Sequence, residues 1–476
     1  MANIDTSAGK SDAGLVQKGL REAFFSGLIA LGLFVLYVGL GTQQNINNEL
    51  IVVQRWGLLA IFVLVAAIGR FIMVVFVRPH LDQRKLSKAR HGELDISTDK
   101  GFFRTHFLKI ALVFLLVYPL ATAYFLGPQG ALKWVDNFGI QILIYVMLAW
   151  GLNIVVGLAG LLDLGYVAFY AVGAYSYALL SAHFGLSFWV LLPLAGIFAA
   201  LWGVILGFPV LRLRGDYLAI VTLAFGEIIR LVIINWTEVT KGTFGISGIA
   251  KASVFGILSF DVGKANNFAK VFGLPSSSAY YKIFLFYVIL ALCMLTAYVT
   301  IRLRRMPIGR AWEALREDEI ACRSLGINTV TTKLTAFATG AMFGGFAGSF
   351  FAARQGFVSP ESFVFLESAV ILAIVVLGGM GSLTGIAIAA VVMVGGTEVL
   401  REMDFLKTGL TWGNTTIIPG FGPDFTPELY RMLLFGLAMV IVMLFKPRGF
   451  VGSREPTAFL KERKAVSGSF TKEGHG

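Results

Sequence analysis

Charge is scarce in this chain. Only 14% of its 476 residues are Asp, Glu, Lys or Arg, where a soluble protein carries roughly 25%. That deficit excludes an ordinary water-soluble globule. Cysteine is scarcer: Cys293 falls in an apolar run and Cys322 in a basic loop. Two thiols so differently placed do not make a disulfide framework. The five histidines show no metal-ligand spacing, so no metal site is expected. A phosphate-binding loop is missing as well. Its nearest approach, Gly9-Lys10-Ser11, has Ile4 where the upstream glycine belongs. No nucleophile, base and orienting group stand at a recognisable spacing. Catalytic residues, cofactors and ATP hydrolysis by the chain itself are therefore not expected.

Apolar sequence is what the chain has in quantity. Hydrophobic residues make up 57% and the mean hydropathy is +0.76. A hydrocarbon core of about 30 Å needs about 20 apolar residues of helix. Eleven stretches approach that length: 23–40, 57–77, 107–126, 140–158, 166–182, 188–210, 217–236, 283–301, 333–353, a glycine-broken run at 367–399, and 429–445. The expected fold is all-α, a polytopic transmembrane bundle of about 10–12 spans, with glycine-broken helices near 157–165 and 378–382. The 54 glycines suit close helix approach in lipid. The net charge of +12 fits basic cytoplasmic loops rather than nucleic acid. No cleavable signal is expected, because the first apolar run is long enough to stay as a span.

Loop charge sets the topology. With the N-terminus inside, the inside segments 1–21, 78–106, 211–216, 302–332 and 446–476 hold 25 Lys and Arg. The outside segments 41–56, 127–139, 183–187, 237–282, 354–366 and 400–428 hold 10. This bias obeys the positive-inside rule only if 367–399 crosses an even number of times or dips in and returns. Leu377-Gly378-Gly379-Met380-Gly381-Ser382 supplies the break. Irregular backbone at that depth must be buried in protein or line a cavity. Asn153 through Gly165 repeats the pattern of Ala373 through Gly385. Glycine-interrupted segments in two halves point to a transport route, although two glycine-rich apolar helices also resemble each other by chance. The organisation expected is an N-terminal segment with three extra spans (1–126), a core (127–446) and a cytoplasmic tail (447–476).

The inside loop 302–332 is the most informative soluble segment. Residues 310–325 read as a charged helix, with Glu313 able to pair with Arg316 and Glu319 with Arg323. Gly326 is a left-handed stop. Trp312, Leu315, Cys322 and Leu325 form a partial apolar face. Such a helix either docks on a cytosolic partner or is a solvated connector.

At this loop the sequence resembles the EAA-type loop of ABC importer permeases. Further segments carry the likeness: Met147 to Asn153 and on through Ala174-Tyr175, Leu213-Arg214-Gly215-Asp216-Tyr217-Leu218-Ala219-Ile220, Ala353-Arg354-Gln355-Gly356-Phe357-Val358-Ser359-Pro360-Glu361-Ser362, and the Gly378–Ser382 turn. Together they resemble the M-type permease of branched-chain amino acid ABC transporters over residues 130–400. The resemblance implies a heterodimer with a second permease subunit and two cytosolic ATPase subunits that do the chemistry. It also implies a periplasmic binding protein that delivers leucine, isoleucine or valine, and a multi-pass place in a bacterial inner membrane with both termini cytoplasmic. On this likeness Glu313, Arg316, Glu319, Ala321, Arg323 and Gly326 are the ATPase-coupling residues. Three departures stand out: Ile320 occupies the box's usual glutamate position, Gly242-Thr243-Phe244-Gly245-Ile246 lacks the usual proline, and 403–428 is long.

Single residues carry two readings each. Glu227 and Arg230 lie three apart inside a span and read first as a structural ion pair, second as part of a pathway. Glu367 and Asp163 are capping or substrate groups. Gly340, Gly344 and Gly348 are a packing stripe. A zwitterion crossing lipid needs polar partners, which makes the turn residues Gly378, Gly379, Gly381, Ser382, Thr384, Gly157 and Gly160 the candidate pathway. The competing function is an ion-coupled secondary amino acid transporter, for which Glu227 is the candidate ion carrier.

Overall fold

The computed structural model describes residues 12–35, 39–44, 50–54, 56–77, 102–210, 213, 215–256, 258–261, 266–273, 275, 277–402, 410–412, 415–418, 431–446 and 449–450. Lipid offers no hydrogen bonds to backbone, so apolar runs satisfy their own amides by coiling into helices. Six described helices are long and apolar enough to span a bilayer, and four shorter apolar helices accompany them. The protein is a polytopic helical membrane protein. The short antiparallel ribbons described below are the exception to the all-α expectation.

The chain divides into two compact units, Met1–Phe107 and Leu108–Gly476. In the first, helices α1 (Asp12–Phe34) and α2 (Trp56–Ile72) flank a ribbon of β1 (Leu40–Gln44) and β2 (Leu50–Gln54). Glu22 of α1 pairs with Arg70 of α2 at 2.8 Å. The charge an apolar hairpin cannot leave bare in lipid is thereby matched within the hairpin.

Helix α3 (Phe102–Lys133), most of which belongs to the second unit, is interrupted at Gly127 (φ 71°). A π-helical turn Trp134–Ile140 leads into α4 (Gln141–Leu152), which widens again into a π-helical turn at Asn153–Leu158. The span expected at 140–158 thus runs over 129–158. Then follow α5 (Val167–Phe184), α6 (Phe188–Val210), α7 (Asp216–Asn235) and α8 (Ala279–Arg305). The loop after α8 forms α9 (Pro307–Glu317) and α10 (Glu319–Ser324). The central helix α11 (Thr329–Gln355) is about 40 Å long by helix rise. It packs on α5 and α6 through small residues. A Cβ on Gly348 would lie 2.7 Å from the Ala174 amide of α5, so the backbones touch there and nothing larger fits.

The run 367–399 divides as its glycines require. Helix α12 (Phe365–Gly378) ends at Gly379 (φ +100°). Ser382 then caps α13 (Leu383–Ala390), which continues through the π-helical turn Val391–Gly395 into α14 (Gly396–Glu402). Gly381 is also left-handed (φ +91°). Two-residue strands β3 (Ile246–Ser247) and β4 (Phe357–Val358) pair antiparallel, Ile246 opposite Val358. They join two segments that the charge count places on the same side. A third ribbon, β5 (Leu410–Trp412) with β6 (Thr415–Ile418), precedes the last described helix, α15 (Arg431–Phe445).

Candidate functional site

The coupling segment is two helices rather than the single helix expected over 310–325. Asp318 is extended (φ −157°, ψ 111°) and its carboxylate accepts from the Ile320 and Ala321 amides. An aspartate followed by a run of helix formers is a better N-cap than a helix interior residue, and this ends α9 and starts α10. Trp312, Leu315 and Cys322 are buried as expected, whereas Leu325 is 80% exposed. Leu325 follows the last turn of α10, just before the left-handed Gly326 (φ +82°), and so leaves the face. The Trp312 indole seats the segment on α11, donating to Thr332 O and Thr335 Oγ1 at 3.1 Å each. Glu319 pairs with Arg323 at 3.2 Å, and also with Lys333 of α11 at 3.0 Å. The Lys333 side chain is almost wholly buried, so its charge depends on being paired. Glu313 reaches back to Arg304 at 3.2 Å. Burial first, then the Asp318 and Glu319 carboxylates, push the Cys322 thiol above its ordinary value.

The residues assigned to the pathway and to coupling meet. Arg316 of α9 donates to the Gly157 carbonyl, and its Cβ lies 3.1 Å from where a Cβ on Gly160 would stand. Gly160 is left-handed (φ +71°). Gly157 in turn abuts the second glycine turn, for a Cβ on it would lie 2.8 Å from the Gly381 amide. That amide donates to Asn153 Oδ1 at 2.8 Å, and Arg304 reaches the Gly381 carbonyl at 3.4 Å. The two glycine breaks, which the sequence aligned only by pattern, are thus one knot, with α9 seated directly on it. The chain after α15 closes the same knot: the Phe450 amide donates to Leu377 O at 2.8 Å. Beside the knot lies a cleft of about 420 Å³ lined by Gly160, Leu213, Asp216, Arg316, Glu319 and Lys333. Ser382 and Thr384 stand at the start of α13, where the Ser382 hydroxyl accepts from Gly385 N at 3.2 Å.

Asp163 holds the first turn rather than capping α5. It accepts from the Gly165 amide at 2.9 Å, while Leu164 N donates to Thr222 of α7 and Val167 N to Ser368 of α12. Two helices, α7 and α12, therefore hold the irregular loop and the start of α5. Glu227 and Arg230 pair at 2.9 Å on α7, as the spacing implies. Lys333, Arg304 and Asn153 were given no role by sequence reasoning. The available signal was polarity at the edge or inside of apolar runs: Lys333 opens the span 333–353, and Asn153 interrupts 140–158.

A second polar group gathers at the opposite end of α11. Arg354 pairs with Asp136 at 2.6 Å and donates to Gln141 Oε1 at 3.3 Å. Lys282 of α8 meets the same Asp136 at 3.1 Å. One turn along α4, the Tyr145 hydroxyl donates to Glu367 at 2.5 Å. Tyr170 packs edge-on against Phe363, with ring centres 5.2 Å apart.

Comparison with known proteins accounts for both halves of the chain. Residues 135–443 match the family described as branched-chain amino acid transport system, permease component. Residues 18–118 match a domain of unknown function. The chain is 48% identical to the high-affinity branched-chain amino acid transport system permease protein LivM of Salmonella typhimurium, over 75% of this chain and 78% of that one. It is 49% identical to the LivM protein of Escherichia coli over the same shares. Similarity to the Escherichia coli LivH permease is lower, 26% over 65% of this chain and 92% of that one. No solved structure matches. The chain belongs to the permease component family of branched-chain amino acid transport systems.

Proposed function

We propose that this chain is a membrane-spanning translocation subunit of an ATP-driven importer for leucine, isoleucine and valine. In this reading it sits in a bacterial inner membrane with both termini cytoplasmic. It pairs with a second, LivH-type permease. Two cytosolic ATPase subunits dock on α9 and α10, and a periplasmic binding protein delivers the substrate. ATP is hydrolysed on the ATPases, and this chain converts their motion into opening of a route. One observation carries the reading: Arg316 of α9 is bonded to the Gly157 turn, which itself packs on Gly381. A push on α9 therefore reaches both helix breaks through two contacts. The ion-coupled alternative loses its carrier, because Glu227 is held by Arg230.

The test is uptake of labelled leucine into proteoliposomes holding the assembled complex, with ATP hydrolysis measured in parallel. Arg316→Ala is expected to keep ATP hydrolysis within about twofold while cutting uptake at least tenfold, the loss of a charge-assisted hydrogen bond worth about 1.5–3 kcal/mol. Equal losses in both readouts, or uptake driven by an ion gradient without ATP, would overturn it.

A further inference from the structure

The polar group at the far end of α11 has no part in coupling, yet it is organised by charge. Arg354 and Lys282 share one carboxylate, Asp136, so this pole keeps a net positive charge. Glu367 accepts a hydrogen bond from the neutral Tyr145 hydroxyl, which leaves its charge in place, so that pole is negative. The poles are anchored to one face of one helix. Gln141 holds the first and Tyr145 the second, four residues apart and about 6 Å along the axis. Phe363 precedes Glu367 by four residues, at the turn that leads into α12. Tyr170 and Phe363 supply an aromatic wall there. Gln141, Tyr145 and Glu367 are partly exposed, while the Arg354 side chain is 7% exposed and sits behind them. In the same aromatic cluster the Tyr175 hydroxyl is buried with no hydrogen-bond partner among the described residues.

Separated positive and negative poles beside an apolar wall match one chemical class: a zwitterion with an aliphatic or aromatic side chain. We propose that Arg354, Gln141, Tyr145, Glu367, Tyr170 and Phe363 form a binding subsite for an amino acid at the end of the bundle opposite the coupling segment. The α-carboxylate takes the Arg354 guanidinium and the Gln141 amide. The ammonium takes Glu367 and the oxygen of Tyr145. The side chain lies against Tyr170 and Phe363. The subsite rests on the reading of the chain as an amino acid translocation subunit and adds the residues that would first hold the substrate in it.

The experiment uses the complex of both permeases and both ATPases, without binding protein, and measures labelled leucine bound at equilibrium. Unlabelled leucine, leucinamide (no carboxylate) and 4-methylpentanoate (no ammonium) compete. Glu367→Gln is expected to weaken leucine and leucinamide about tenfold and leave 4-methylpentanoate unchanged. Arg354→Gln should weaken leucine and 4-methylpentanoate and leave leucinamide unchanged. If Arg354→Gln does not assemble, Gln141→Leu is expected to show the same pattern at smaller amplitude. A uniform loss for all three ligands, or none, overturns the subsite. Failure of the unmutated complex to take up leucine with ATP and binding protein would overturn the transport reading instead, and the two failures are read in separate assays.

Discussion

At the scale of single residues, the glycines of the inner knot do different jobs, and substitution separates them. A Cβ on Gly378 would stand 2.6 Å from the Ile386 amide of α13, so an alanine there must push two backbones apart. A Cβ on Gly381 would meet nothing nearer than the Gly157 carbonyl at 3.8 Å. Only its left-handed backbone (φ +91°) resists, at about 1–2 kcal/mol. Gly381→Ala should therefore assemble with a modest fall in thermal midpoint, and Gly378→Ala should fail to assemble. Size-exclusion profiles and thermal melts of the purified complexes check this, and equal behaviour would show that the turn is slack. The sequence identified these glycines as a break. Their separate duties were not legible, because the difference lies in α13, which packs back on Gly378 from beyond the turn.

At the scale of elements, the two-helix coupling segment changes where a proline does harm. In a single helix over 310–325, Ala321 would be interior. In the structure Ala321 lies in the first turn of α10, where its amide is taken by the Asp318 cap at 3.1 Å. First-turn positions tolerate proline better than interior ones. Ala314 lies within α9, where proline costs about 3 kcal/mol. Ala314→Pro should abolish leucine uptake in membranes where the chain is still inserted, and Ala321→Pro should retain a measurable part of it. The reverse order would place the coupling contact on α10. Apolar run length made most of the spans legible in the sequence, since a bilayer imposes that length on any helix that crosses it. The break at Asp318 was harder to see. Ala, Leu, Glu and Arg on both sides favour helix, and only the cap decides between one helix and two.

At the scale of the whole molecule, the charge count and the fold agree on which segments share an end. The turn at 157–165, the loop at 213–218 and the coupling segment line one cleft, and strands β3 and β4 join the loops at the other end. Cysteine labelling tests which end faces the cytoplasm. A cysteine at Thr411 should react with an impermeant maleimide from the periplasmic side, and one at Ser467, which lies outside the described residues, should not. The native thiols give little background. Cys293 and Cys322 are both buried, and the raised Cys322 thiol has a smaller thiolate fraction than an ordinary cysteine, which slows its reaction with maleimide. Opposite labelling would invert the topology. The candidate site was legible in its parts: the charged loop at 310–325 and both glycine turns stand out in the sequence. Their junction through Arg316 was not, because contacts between residues 159 positions apart leave no local pattern. The Phe450 amide on Leu377 sets a practical limit on how this chain can be shortened. A stop codon after Lys446 leaves the Leu377 carbonyl without that donor, and it should lower uptake even though α15 is complete. A stop after Gly452 keeps the donor and should leave uptake near normal, so an affinity tag belongs beyond that point and a truncation library should show its cliff between Lys446 and Phe450.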